Sequence, residues 1–286
     1  MRCAWDAFVV LLPVWLRSYF TKKDSEMLTE VRLRIGLAAE MVYLNGSKWT
    51  RQRVVAEDIQ FCINVASQYS PWSAETISHG YITASGGHRI GICGEAISSE
   101  SSVKGIRTPR YLCLRLAKDF SNIADGIAPI NGSVLIIGPP GSGKTTLLRD
   151  LIRQKSNAGK GSIAVVDERR ELFPYFNNSP CFDSGSKTDV ISGACKKQGV
   201  EMVLRVMGPT MIAVDEITAE EDCRALIHAG WCGVDVFATA HAANISDLQH
   251  RPVYKPLLET GLFSNVVVLR SDKSWSLERM KTCTLN

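Results

Sequence analysis

One glycine-rich loop constrains what this chain can fold into more than any other stretch. Residues 133–148 read Ser-Val-Leu-Ile-Ile-Gly-Pro-Pro-Gly-Ser-Gly-Lys-Thr-Thr-Leu-Leu: an apolar run, then Gly138-x-x-x-x-Gly143-Lys144-Thr145, then the start of a helical pattern. Ordinary residue frequencies would yield the bare pattern in about one chain in a hundred of this size, and the flanking strand and helix make it far more specific. Gly138, Gly141 and Gly143 let backbone N–H groups curl around phosphates at φ values other residues resist. The following helix directs its positive N-terminus at the same anion. Lys144 then reaches the β and γ phosphates of a triphosphate, and the Thr145 hydroxyl is placed to ligate Mg²⁺. Pro139, Pro140, Ser142 and Thr146 complete the loop segment that would surround the phosphates.

Downstream of this loop, apolar strands alternate with helices, the signature of a parallel three-layer α/β domain. Ser162-Ile-Ala-Val-Val-Asp167-Glu168-Arg169-Arg170-Glu171 is a buried strand ending in charge, and ligands in such sheets bind at the carboxyl ends of strands. Asp167, Glu168 and Glu171 are therefore site candidates, with structural ion pairing as the competing reading. Met211-Ile-Ala-Val-Asp215-Glu216 has the form of a Walker B strand, in which Asp215 holds Mg²⁺ and Glu216 orients and activates the attacking water. A third strand, Asp235-Val-Phe-Ala-Thr-Ala-His241, brings Thr239 and His241 to the same edge.

The first half has a different grain. Residues 1–20 read as an interrupted helix, 29–35 and 40–44 as a hairpin around Gly36, and 56–69 as a helix with Ile59, Ile63, Val65 and Ala66 on one face. Residues 80–94 read as two short strands about a Gly-Gly turn, followed by a strand or helix near 111–117. Turn formers in Gly126-Ile-Ala-Pro-Ile-Asn-Gly132 mark a boundary, so the expected division is an α+β domain over 1–125 and an ATPase domain over 126–286. No internal repeat or low-complexity tract occurs. The apolar run Phe8–Leu16 is nine residues with Pro13 inside, against about 20 needed to span a bilayer, and reads as a buried helix. Contact with a membrane surface or a partner is its alternative.

Composition sets modest bounds on function. With 33 basic and 29 acidic residues the net charge is +4, too small a bias to imply nucleic acid, and no nucleic-acid module is recognisable. The nine cysteines (3, 62, 93, 113, 181, 195, 223, 232 and 283) form an odd set without a C-x-x-C pair, which fits a reduced compartment better than a disulfide framework or zinc site.

The order of P-loop, acidic strand end, Asp-Glu strand and Thr-x-His strand resembles that of secretion-type ATPases, where these elements are called Walker A, Asp box, Walker B and His box. The resemblance sharpens to the stage III sporulation protein AA family of endospore-forming bacteria. The matching stretches are residues 135–153, Val165-Val-Asp-Glu-Arg169, Met202-Val-Leu-Arg205, Ile212-Ala-Val-Asp-Glu-Ile217 and Ala238-Thr-Ala-His241. Val31-Arg-Leu-Arg34, Gly80-Tyr-Ile-Thr83 and Gly86-Gly-His-Arg-Ile-Gly-Ile-Cys-Gly94 agree in the first half.

That resemblance implies a RecA-like P-loop ATPase domain preceded by a smaller α+β domain, hydrolysing ATP with Mg²⁺. It implies a catalytic set of Lys144, Glu216, His241, Glu168 and Glu171, metal ligation by Thr145 and Asp215, and a nucleotide contact from Arg205. It also implies a hexameric ring acting with other proteins of its operon, in the mother-cell cytoplasm or peripherally on the membrane facing the forespore. In such a ring a neighbouring subunit supplies an arginine to the nucleotide. Arg89 is the first candidate, for the glycines around it, ahead of Arg107, Arg110 and Arg115.

Two departures from the family pattern stand out. Lys187 occupies a position where arginine is expected, and lysine cannot reproduce a bidentate guanidinium contact. Ala242 follows His241 where glycine is more usual. Two rival readings are a nucleic-acid-dependent ATPase, against which the modest charge argues, and a nucleotide-gated scaffold, against which the Asp215-Glu216 pair argues.

Overall fold

The computed structural model describes residues 1–68, 80–99, 102–159 and 161–280, so Cys283 lies outside the described residues. The chain divides into two compact units, Met1–Asp119 with Tyr175–Phe182, and Phe120–Pro174 with Asp183–Asn286. The strands run β1 (Leu28–Arg34), β2 (Ala38–Tyr43), β3 (Gly46–Arg53), β4 (Tyr81–Thr83), β5 (Arg89–Ser99), β6 (Ser102–Arg115), β7 (Val134–Gly138), β8 (Ile163–Asp167), β9 (Tyr175–Phe176) and β10 (Ser179–Pro180). They continue as β11 (Thr188–Ser192), β12 (Met211–Val214), β13 (Asp235–His241), β14 (Asn265–Leu269) and β15 (Trp275–Arg279).

In the first unit β1–β6 form an antiparallel sheet in the order β3-β2-β1-β6-β5-β4. β2 alternates half-buried and buried positions, with Ala39, Met41 and Tyr43 inward, the pattern of a sheet covered on one face. The helix Ala56–Ser67 supplies part of that cover, burying Ile59, Cys62, Ile63 and Ala66. The apolar N-terminal run forms two short helices broken at Pro13, Trp5–Leu11 and Val14–Arg17, and buries Phe8, Leu11, Leu12 and Leu16 in the same core. Val10 and Val14 face outward, and among the described residues no helix is long and apolar enough to cross a membrane. Sequence pattern missed β3, whose residues are exposed except Thr50, because an edge strand with polar residues on both faces carries no period-2 signal.

His88 lies at the centre of this unit, fully buried. Its Nε2 is 2.9 Å from the Ala4 carbonyl, and its Nδ1 accepts from the Ala117 N–H at 3.0 Å, which fixes the neutral Nε2–H tautomer. Burial pushes its pKa down to about 4. A proton on Nδ1 would oppose the Ala117 N–H, so the fold takes up that proton later than the unfolded chain, whose histidine titrates near 6.5. The contribution is therefore complete above pH 6.5 and lost as pH falls toward 4, a span worth about 3 kcal/mol. Hydrogen-exchange protection of β5 and β6, corrected for intrinsic rates, should decline across that window, and His88→Gln should flatten the decline.

The second unit is a seven-stranded sheet in the order β11-β8-β12-β13-β7-β14-β15, parallel except for β15. β7, β8, β12 and β14 are buried at every position, as parallel strands covered on both faces must be. The helices Lys144–Asn157, Lys196–Val206 and Glu220–Trp231 return the chain between them. The fold class is thus the expected one, an α/β domain with a mostly parallel sheet after a smaller α+β unit.

Candidate active site

Parallel register brings the motif residues to one edge. His241 on β13 pairs with Gly138 on β7, while Val214 on β12 pairs with both Val166 on β8 and Ala238 on β13. The loop after Gly138, the acids after Val166 and Val214, and His241 itself therefore share the carboxyl end of the sheet.

The phosphate loop follows from its glycines. Gly141 and Gly143 take φ of 72° and 100°, in the left-handed region, and Gly143 opens directly into the helix Lys144–Asn157. Gly138 meets a different demand, since a Cβ there would lie 2.7 Å from the Leu269 carbonyl oxygen of β14. Lys144 is buried, and its ammonium donates to the carbonyls of Gly138 at 2.9 Å and Pro139 at 3.0 Å and to His241 Nδ1 at 3.1 Å. Burial lowers its pKa, and the charges of Asp215 and Glu216 oppose that shift.

Asp215 and Glu216 are held by a hydroxyl pair. Thr145 Oγ1 donates to Asp215 Oδ2 at 2.9 Å, and the fully buried Thr239 donates to Asp215 Oδ1 at 2.6 Å. Thr239 Oγ1 in turn accepts from the Glu216 N–H at 2.8 Å, which also reaches Asp215 Oδ1 at 3.0 Å. Glu216 itself adopts φ 44°, uncommon for a non-glycine residue and held here by these bonds. Its carboxylate meets Arg169 Nη1 at 2.6 Å and His241 Nε2 at 3.2 Å. With Lys144 donating to Nδ1, the neutral Nε2–H tautomer of His241 satisfies both contacts and joins the loop lysine to Glu216.

The acidic strand end has divided tasks. Asp167 is buried and accepts from the backbone N–H groups of Glu171, Leu172 and Phe173 at 2.8–3.0 Å, so it shapes the turn after β8. Burial raises its pKa to about 6 despite those donors. Glu168 pairs with the buried Lys196 at the head of the helix Lys196–Val206. Glu168, Arg169 and Glu171 line a small cleft with Asp215 and Glu216. Arg149, on the phosphate-loop helix, donates to the carbonyls of Glu171 at 2.8 Å and Leu172 at 2.7 Å and so ties this turn to that helix.

One sequence expectation needs correction. Arg205 was expected to bridge nucleotide and sheet edge, but it occupies the exposed last turn of the helix Lys196–Val206, which runs back from the carboxyl edge. Thr210, just beyond, donates its N–H to the Ser162 carbonyl ahead of β8, which sets Arg205 at the opposite, amino edge. Lys187, at the position where arginine is expected, donates to the Gly159 carbonyl past the far end of the helix Lys144–Asn157. Fourteen residues of helix, about 20 Å at 1.5 Å per residue, separate that end from Lys144. In the first unit Arg89 stacks its guanidinium 4.3 Å from the Tyr81 ring centre, and Arg107 and Arg115 lie 3.9 Å and 3.5 Å from Glu95 and Glu30.

Sequence reasoning did not single out Arg169 and Lys196 as partners of the acids, or Arg149 as the tie to their turn. Arg169 carried a signal, adjacency to Asp167-Glu168. The other two are brought in only by helices whose docking the motifs do not encode.

This chain is similar to several known proteins. The family described as sporulation stage III, protein AA, matches residues 9–278. Stage III sporulation protein AA of Bacillus subtilis (strain 168) is 37% identical over 254 residues, spanning 85% of this chain and 83% of the relative. Among solved structures, the ATPase DotB of Legionella pneumophila aligns with a TM-score of 0.57 at 18% identity, over 94% of this chain and 80% of that one. The pilus retraction motor PilT with bound ADP aligns at 0.58 and 15%, over 92% and 82%. These structural likenesses establish a shared fold, and the family match extends over nearly the whole sequence. The chain belongs to the sporulation stage III, protein AA family.

Proposed function

We propose that this chain is a Mg²⁺-dependent ATPase that works as a ring-forming motor at the membrane around the developing forespore. One observation carries the reading: Lys144, His241, Glu216, Asp215 and Thr145 are joined by hydrogen bonds at the mouth of the phosphate loop. Family membership and the sporulation relative support the cellular setting. The fold shared with DotB and PilT supports nucleotide-driven motor work.

The residues present suit the metal. A threonine hydroxyl 2.9 Å from a carboxylate oxygen is a hard-oxygen pair of the kind Mg²⁺ takes when phosphates and waters supply its remaining ligands. Thr145 and Asp215 would hold the ion, which neutralises charge on the transferring phosphoryl group. The Ser142 hydroxyl, buried in the loop without a hydrogen-bond partner among the described residues, marks a polar lining suited to an anionic substrate. Loop N–H groups and Lys144 bind the phosphates. Glu216, oriented by Arg169 and His241, draws a proton from the attacking water.

Chelation tests the reading. Phosphate release from ATP by the purified protein should stop on addition of EDTA and return with excess Mg²⁺. Turnover unaffected by chelation would remove Thr145 and Asp215 from metal binding.

A further inference from the structure

We propose that Lys273 is a second cation of the nucleotide site, binding an oxygen of the phosphate chain beside the loop. This rests on the ATPase reading above and adds a residue that no loop motif contains.

Sheet order puts Lys273 there. β14 runs parallel beside β7, with Val268 opposite Ile137, so the turn leaving β14 emerges next to the phosphate loop. The approach is close, because the Leu269 carbonyl lies against Gly138 where no Cβ fits. Lys273 adopts φ 70° within the turn, which is closed by the Lys273 N–H to the Arg270 carbonyl at 3.1 Å and the Arg270 N–H to Ser274 at 2.9 Å. Asp272 accepts from the N–H and hydroxyl of Ser274 at 2.9 and 2.6 Å, and among the described residues no carboxylate pairs with Lys273. The Lys273 ammonium instead donates to the Gly141 carbonyl of the loop, and its Cδ lies 4.0 Å from where a Gly143 Cβ would be.

An exposed, flexible ammonium bonded to a neutral carbonyl gains by exchanging it for a phosphate oxygen, since charge-assisted hydrogen bonds are roughly twice as strong. Lys144 donates to the Gly138 and Pro139 carbonyls and Lys273 to that of Gly141, so both cations are bonded to the one loop. The ligand class is the phosphate chain of a nucleoside di- or triphosphate.

Titration of Mg-ATP and of ADP onto the full chain, with melting temperatures measured without nucleotide, separates the outcomes. Lys273→Gln keeps a side-chain donor but carries no charge. We expect Lys273→Gln and Lys273→Ala each to weaken both nucleotides about tenfold, Lys273→Arg to stay within about threefold of wild type, and the nucleotide-free melting temperature to hold. Wild-type affinity in Lys273→Gln would reduce Lys273 to a tether of the loop and overturn the proposal, as would wild-type affinity in Lys273→Ala. Wild-type protein that binds neither nucleotide would overturn the ATPase reading itself, and this assignment with it.

Discussion

Lys144→Ala is expected to abolish measurable ATP binding, with an affinity loss on the order of a hundredfold or more. Two or more charge-assisted hydrogen bonds to phosphate oxygens disappear at once, each worth roughly 1.5–3 kcal/mol. A second effect acts through His241, whose Nδ1 loses its donor 3.1 Å away and whose Nε2 then orients Glu216 less firmly. Binding and turnover should therefore fall together. Isothermal titration checks the first and phosphate release the second, with the circular-dichroism spectrum confirming that the fold survives. Retained ATP affinity in Lys144→Ala would mean that the loop carries the phosphates without its lysine.

Glu216→Gln should separate the two functions. The amide is nearly isosteric, so the left-handed backbone at 216 and the N–H contacts to Thr239 and Asp215 can persist, and the phosphate loop is untouched. What disappears is a carboxylate able to take a proton, a contribution of about 10²–10⁴-fold in rate for a positioned general base. ATP affinity within a few-fold of wild type, with turnover reduced by at least about a hundredfold, is the expected result. Single-turnover measurements would isolate the chemical step. Unchanged turnover in Glu216→Gln would take that residue out of the base role and turn attention to Glu168 and Glu171, which line the same cleft.

Local spacing made much of the site legible, because a phosphate loop is a short-range device. Gly138, Gly141, Gly143, Lys144 and Thr145 lie within one strand-turn-helix, and Asp215-Glu216 terminates a continuous apolar strand. Uninterrupted burial of the parallel strands was equally readable, since strands covered on both faces have no polar side to display. What escaped were relations set by sheet order and helix docking. Lys273 lies 132 positions from Gly141 yet touches it, because β14 neighbours β7. Asp167 resembled a ligand-facing acid by position, but its burial directs it to three backbone N–H groups of its own turn. Arg205 followed a familiar phrase ahead of Walker B, while helix direction alone decided which edge of the sheet it reached. The polar edge strand β3 had no apolar alternation to announce it.

The most direct test of the motor reading is ATP hydrolysis by the purified protein beside Lys144→Ala and Glu216→Gln, over a protein concentration series with the assembly mass determined at each point. A ring-forming ATPase predicts specific activity that climbs with assembly mass in the wild-type protein and is lost in both variants. Specific activity that is equal at every assembly mass, or that persists in either variant, would contradict it.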